Sequence, residues 1–462
     1  MSDRPNILVF MTDDHGQWAS RCYGNSEIFS PTMDYLAAKG VRLTRAFTPS
    51  PVCSPARASF FSGRLPSQHG IHDWIHEPSE IGRAHPGLAG QTNIAQLLQG
   101  AGYQTALVGK WHCGHSWNPQ PGFDRWFSYG EFQFPHKGRI KFSDQGEIID
   151  FEGYQTPAFT DRAIEFLRTR DGRRPFFLFV GYVDTHTPYR DHPERLVEHY
   201  RHCHFRDIPR ESFSPCHGRD TFAWRFDSEA AEREALAQYY AAVTFIDEQM
   251  GRILDELDNS NILTNTLVVY TSDHGHMNGH HGLNTKGNAT TPQNFLDESI
   301  LVPCLLMWQD RLPAHRVIEA PVDHTDLFCT LLDIAGVDVP QDINTPGQSY
   351  LRLLTGEGDQ TWRDAYIGEY GNARCIRTER AKLIRRYPGP NGTYPDEFYD
   401  LTEDPREREN RIDDPRYHDL VAELSERLEA HFRQFEIPER SGKNIATQPR
   451  TSEDAEPWFR RV

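Results

Sequence analysis

Four short apolar runs frame this chain: NILVFMT at 6–12, YQTALVG at 103–109, PFFLFVGYV at 175–183 and NTLVVYTS at 265–272. Each is rich in β-branched and aromatic residues, is too short for a buried helix, and is bounded by turn or charge signals, so each reads as a strand. Helix punctuation fills the gaps between them. SPTMDYLAAKG opens on Ser30 and Pro31 and stops at Gly40, TNIAQLLQGAG ends on glycines, and FTDRAIEFLRTRDG carries apolar residues at helical spacing. From Ser228 to about Leu257 an N-cap and an acidic first turn precede several turns of apolar repeat. Strands that are apolar throughout, alternating with helices, specify an α/β fold: a large, mostly parallel sheet sandwiched by helices.

After DHTDLFCTLLDIAG the chain becomes rich in Pro, Gly and Asp from Val337 to about Asp364. Beyond it, ARCIRTERAKLIRRYPG and DEFYDLTEDP have the alternating, turn-bounded pattern of an antiparallel sheet. The expected organisation is a catalytic α/β domain over 1–345, a smaller C-terminal subdomain with an antiparallel sheet over 360–440, and a tail over 441–462 that packs on a neighbour or stays loose.

Every one of the four strands runs into residues able to bind a metal or an anion: Asp13 and Asp14, Lys110 and His112, Asp184 and His186, Asp273 and His274. In an open parallel sheet the carboxyl ends of the strands face one crevice, so residues far apart in sequence converge there. Taken singly, an Asp after a strand is a turn or cap residue, a Lys is solvated and a His is a rim residue. Jointly, three carboxylates and an imidazole make an oxygen-rich site for one hard divalent cation, Ca²⁺ by preference, with Mg²⁺ or Mn²⁺ also compatible. Lys110 and Lys286 add compact positive charge for a bound anion. The histidines of SDHGHMNGHHG invite a zinc reading, which ranks lower because His276, His280 and His281 lie on a glycine-rich loop without helical register; a surface or supporting role is expected for them.

Cys53, in TPSPVCSPARASFFSG, is the odd member. Pro55 near the first helical position places Cys53 at a helix N-terminus, where backbone N–H groups favour anions, and Arg57 adds a forked donor about one turn on. A thiolate is a poor partner for a hard cation, so an unmodified Cys53 would be out of place in that crevice. The eight cysteines show no C-x-x-C spacing and no secretion signal is visible, which gives reduced thiols and a cytoplasmic location as the expectation. No stretch is long enough to span a bilayer, and a net charge of −17 argues against binding nucleic acid or an anionic membrane. Oligomeric state is left open.

These residues resemble the formylglycine-dependent sulfatases of the alkaline-phosphatase superfamily. The likeness runs through NILVFMTDD, CSPAR at 53–57, GKWH at 109–112, DTHTPY around His186, and SDHG followed by HHGLNTKG with Lys286, in the family's order, and extends to IRTERAKLI and FYDLTEDPRERENR. It implies that a formylglycine-generating enzyme oxidises Cys53 to formylglycine (3-oxoalanine), which removes the soft sulfur. It implies that Asp13, Asp14, Asp273, His274 and the modified residue 53 hold the metal. One hydroxyl of the aldehyde hydrate attacks a sulfate ester to give a sulfo-enzyme, Lys110, Lys286 and Arg57 balance charge, His186 protonates the leaving oxygen, and His112 assists the second hydroxyl as sulfate is expelled. The implied substrate is a small-molecule or saccharide sulfate ester, carbohydrate, alkyl or aryl. The nearest rival is a phosphonate monoester or phosphodiester hydrolase with the same modified cysteine; many of those relatives carry Gln where Asp14 stands. A non-catalytic binder of sulfated ligands and a thiolate hydrolase rank lower. His274 departs from the Asn of many family members. The segment from Tyr189 to Phe226 reads as a loop-like insertion, either a lid or a surface excursion. Trp18, Trp74, Trp111 and Trp117 are aromatic faces for a substrate or ordinary packing.

Overall fold

The four apolar runs become strands β1 Asn6–Thr12, β2 Gln104–Lys110, β3 Phe176–Gly181 and β4 Thr266–Ser272, in a computed structural model. It describes residues 4–129, 136–209, 218–219, 226–358, 361–452 and 456–459. The four strands lie side by side in the order β4, β1, β3, β2, all parallel, with Ile7 level with both Leu267 and Phe177. Arg125–Tyr129 continues the parallel run beyond β2. The flanks are different: Cys304–Met307 pairs antiparallel with β4 on one side, followed by Val41–Leu43 and Arg316–Ile318, and the hairpin of Lys137–Asp144 and Glu147–Tyr154 closes the other, completing ten strands. That hairpin is not legible as a buried strand pair, because its side chains alternate between charged and apolar and much of it is exposed.

Period-two alternation sends neighbouring residues of β1 to opposite cores. Leu8 and Phe10 join one cluster with Leu178, Val180 and Tyr270, under the helix Gln155–Thr169 and the long helix α2, Glu229–Asn259. Ile7, Val9 and Met11 join the other, with Phe60 and Phe61 of α1, Cys53–Ser62, and Phe328 of the helix His324–Ile334. Both sheet faces are therefore dry, and polar groups gather where the strands end. Among the described residues no helix is long and apolar enough to cross a membrane.

A second, four-stranded antiparallel sheet is formed by Tyr366–Tyr370, Ala373–Arg377, Ala381–Arg386 and Glu397–Asp400, and the helix His418–Phe435 buries Leu424, Leu428 and Phe432 against it. Of the two alternatives for the segment from 441, packing on a neighbour or staying loose, the described part takes the first: Ile445 and Trp458 sit in one cluster with Tyr370 and Cys375 of this sheet. Two widely spaced apolar anchors leave no periodicity to read. The insertion at 189–226 is also more regular than expected, with the helix Glu194–Arg201 burying Leu196, Val197 and Tyr200 beside α2; positions 210–217 and 220–225 fall outside the described residues.

Buried charge fastens the small sheet to the segment that precedes Cys304–Met307 of the large one. Lys382 lies 2.8 Å from Asp297, contacts Glu407, and donates to the Phe295 carbonyl at 2.6 Å. Arg377 forks onto Asp297 at 2.7 Å, and Arg386 donates to the Gln293 carbonyl at 2.8 Å. These bonds all hold one stretch, 293–297, which follows directly on the loop that carries Lys286. Replacing Lys382 by Met strands the buried Glu407 carboxylate without its cation and leaves Asp297 to Arg377 alone, and is expected to lower unfolding stability by about 3–5 kcal/mol in a denaturant titration; a loss below about 1 kcal/mol would show the pair to be dispensable.

Candidate functional site

The carboxyl ends of all four strands meet the N-terminus of α1. Asp13 follows β1, with its N–H on the Asp184 carbonyl at 3.3 Å and its own carbonyl accepting from Thr185 N–H at 2.8 Å. Asp14 takes a left-handed turn at φ 59°, a conformation Asp tolerates, and its carbonyl is held by Tyr239 Oη and Thr185 Oγ1, both at 2.8 Å. Asp273 and His274 continue from β4, where Asp273 N–H bonds the Thr12 carbonyl at 3.0 Å. Lys110 is the last residue of β2. It depends on Gly109, whose φ is 108° and whose missing Cβ would lie 2.0 Å from the Gly181 carbonyl on β3. Cys53 opens α1, as Pro55 at its third position had indicated.

The ligand atoms converge. Nε2 of His274 lies 3.7 Å from Asp13 Oδ1, 3.2 Å from Asp14 Oδ1 and 3.4 Å from Asp273 Oδ1. Nδ1 of the same ring sits 2.8 Å from the Gly275 carbonyl, so it carries the proton, and Nε2 presents a lone pair to the carboxylates. Three carboxylate oxygens and an imidazole lone pair thus face one another with no proton between them, an arrangement that fits a divalent cation. Cys53 Sγ completes the ring at 3.5 Å from Asp13 Oδ1 and 3.3 Å from His274 Nε2. Asp13, Cys53, Asp273 and His274 offer ligand atoms within 4.8 Å of one another, and a second such group joins Asp13, Asp14, Cys53 and His186.

Positive groups surround this core. Lys286 Nζ lies 2.6 Å from Asp14 Oδ1 and 2.9 Å from Cys53 Sγ, Lys110 Nζ contacts Asp13 Oδ2, and Arg57 Nε bonds Asp273 Oδ2 at 2.8 Å. Arg57 also donates Nη1–H to the Lys110 carbonyl at 2.9 Å, which locks the guanidinium across the crevice. Burial pushes the Asp13 carboxyl upward, but Lys110, His186, Lys286 and Arg57 outweigh it and hold the group well below the usual carboxylate range. Asp14 is depressed for the same reasons, chiefly by Lys286 against burial. Burial works against the Lys286 ammonium, yet Asp14, Cys53 and Asp13 raise its pKa well above the ordinary lysine value.

His112, at φ 57°, donates Nε2–H to the Ile75 carbonyl at 2.8 Å, while burial and then Lys110 keep its ring neutral. Its Nδ1 therefore bears the lone pair. His186 directs Nδ1 to the Thr187 carbonyl at 2.8 Å and Nε2 toward Asp14 Oδ2 at 4.0 Å. The ten residues given metal, charge or proton roles by the resemblance thus lie in one crevice or on its wall.

Of the surface or supporting roles expected for His276, His280 and His281, the surface alternative falls, since all three are buried. His276 stacks on Tyr239, bonds the Tyr189 hydroxyl at 2.5 Å, and points Nδ1 at Asp14 Oδ2 from 3.6 Å; His281 pairs with Glu298 at 2.8 Å. Trp111 is a core residue against Phe61, whereas Trp74 is half-buried beside His76. Asp184, at the end of β3, stays out of the ligand ring and faces His136 and His192. Neither histidine belongs to a motif, and no local pattern marks them.

The family model for sulfatases matches residues 5–337, and that for the C-terminal region of N-sulphoglucosamine sulphohydrolase matches 292–434. The chain is 29% identical to an N-acetylglucosamine-6-O-sulfatase of Bacteroides thetaiotaomicron, over 94% of this chain and 87% of the other. It is 25% identical to the steryl-sulfatase of Homo sapiens over 97% and 92%. A chain solved in complex with its substrate D-glucosamine-2-N,6-O-disulfate superposes with a TM-score of 0.81 at 27% identity, covering 94% of this chain and 98% of that one. A phosphonate monoester hydrolase of Agrobacterium radiobacter shares the fold, with a TM-score of 0.74 at 21% identity over 94% and 96%.

The acceptor ring should bind about one divalent ion per chain, seen by metal analysis after dialysis and as a rise in melting temperature. Asp13→Asn with Asp273→Asn removes two of its charges and should abolish both effects; an unchanged stoichiometry would place the ion elsewhere.

Proposed function

The chain belongs to the sulfatase family, the sulfuric ester hydrolases, and from that premise we propose that it removes the 6-O-sulfate of a glucosamine-type sugar. The observation that carries this reading is the likeness, along 94% of the chain, to a protein solved with a glucosamine disulfate. Retention of Asp14 beside Asp13 supports a sulfate ester over a phosphonate.

The oxygen-rich ligand set, Asp13, Asp14, Asp273 and His274, favours Ca²⁺. A soft sulfur at position 53 sits within 3.5 Å of hard ligands, which supports its replacement by formylglycine in the working enzyme. When present, the ion supplies Lewis acidity toward a sulfate oxygen and the aldehyde hydrate supplies an oxygen nucleophile. The chain's own residues arrange the rest. Lys286 and Lys110 bring ammonium groups to residue 53 and Asp13, where they balance the charge on the sulfuryl oxygens without reorganising. Arg57 spends Nε on Asp273 and Nη1 on the Lys110 carbonyl, and its buried Nη2 has no hydrogen-bond partner among the described residues. His186 stands beside residue 53, its Nδ1 fixed by a carbonyl, so that Nε2 is the atom that delivers a proton to the leaving alcohol. His112 is neutral with its lone pair on Nδ1, the state required of a base that takes the proton from residue 53 when sulfate departs.

Mass spectrometry of the Cys53 peptide should show formylglycine in material made with the maturation enzyme. Cys53→Ala should fold, keep the ion-binding carboxylates, and lose turnover of glucosamine 6-sulfate by about 10³-fold or more. A wild-type enzyme that hydrolyses a phosphonate monoester faster than any sulfated sugar would overturn the substrate assignment.

A further inference from the structure

Behind His186 lies a buried set of groups that the scheme above does not use. Asp184 Oδ1 is 2.6 Å from His136 Nδ1 and 3.3 Å from His192 Nε2, while Asp184 Oδ2 accepts from the Thr156 hydroxyl. All three residues are at most 5% exposed. His136 then reaches on with Nε2 to the backbone carbonyl of His186, at 2.8 Å. On the far side, His192 Nδ1 meets Gln238 Oε1 at 3.1 Å, and Gln238 is fixed by donating to Glu234 at 3.0 Å.

Both nitrogens of His136 thus face acceptors, a carboxylate and a carbonyl; the Gln155 amide nitrogen also lies 3.2 Å from Nδ1, but the Asp184 carboxylate is nearer, at 2.6 Å, and a neutral imidazole can donate to only one of the two acceptors. The ring satisfies both only as an imidazolium. Burial opposes that charge, but Asp184 and the carbonyls of His186 and Pro188 raise the His136 pKa. The titratable groups facing the ring are Asp184 and His192, whose ring centroid lies 5.0 Å away.

We infer that His136, bonded to Asp184 and backed by His192, is a positioning residue that clamps the His186 backbone and so aims the His186 ring at the leaving oxygen. The clamp rests on the reading of His186 as proton donor. It also explains why Asp184 stands at a strand end without joining the ligand ring. The same three groups could suggest a second metal site, but an ion about 2 Å from each ligand holds neighbouring ligands roughly 3 Å apart, and His136 and Asp184 are at direct hydrogen-bond distance.

The test uses leaving groups of different need. A sugar alkoxide must be protonated as it departs, whereas 4-nitrophenolate is stable without help. In formylglycine-containing enzyme, His136→Gln should lower kcat for glucosamine 6-sulfate by about 10- to 100-fold while changing 4-nitrophenyl sulfate turnover by less than about 3-fold. His186→Ala should show the same split, more strongly. If His186→Ala lowers both substrates equally, the proton-donor reading itself fails. If His186→Ala shows the split and His136→Gln shows none, or lowers both substrates equally, the clamp is refuted. A second divalent ion per chain in the wild type that disappears in His136→Gln would also overturn it, in favour of a metal site.

Discussion

Three carboxylates are brought together in a site that water hardly reaches, and the rest of the architecture answers to that constraint. Burial opposes ionisation of Asp13 and Asp14, and at Asp14 the neighbouring Asp13 charge adds to it. Lys110 and Lys286 reverse the balance there, and Arg57 pairs with Asp273, each cation coming from a different segment. The resulting charge pattern is the one that a divalent cation and a sulfate ester require: negative where the cation sits, positive where sulfuryl oxygens gather charge.

Holding such a cluster takes a stiff frame, and the parallel centre of the sheet provides it. Four strands buried on both faces end at one level, so their successor residues have few ways to move apart. The close approach of Gly109 to the Gly181 carbonyl brings β2 and β3 together just where Lys110 leaves the sheet. Backbone bonds then cross between the strand ends, from Asp13 to Asp184 and Thr185, and from Asp273 to Thr12. A ligand such as Asp13 is thereby positioned by its main chain as much as by its ion pair.

The smaller sheet contributes from a distance. Lys382, Arg377 and Arg386 fasten the stretch after Lys286 through Asp297, Glu407 and the carbonyls of Gln293 and Phe295. Its helix and C-terminal segment cover its own apolar residues, so this sheet acts as a fixed buttress for the loop that delivers a lysine to residue 53. On the opposite wall, the Asp184, His136 and His192 set does for His186 what the small sheet does for Lys286.

The sequence by itself determined the strands, their parallel arrangement and the ligand candidates, because each signal is local: an apolar run of fixed length, a charged residue right after it, a proline one turn into a helix. Cys53, Arg57, the aspartates and the lysines were legible for that reason, helped by a family resemblance carried in short motifs. Only the tertiary structure decided which groups stand behind them. The edge hairpin, the anchoring of the C-terminal segment through Ile445 and Trp458, the burial of His276, and the partnership of His136 and His192 with Asp184 join residues from separate segments. None leaves a period or a motif, since what selects them is the need of a buried polar atom for a partner, and that partner exists only once the chain has folded.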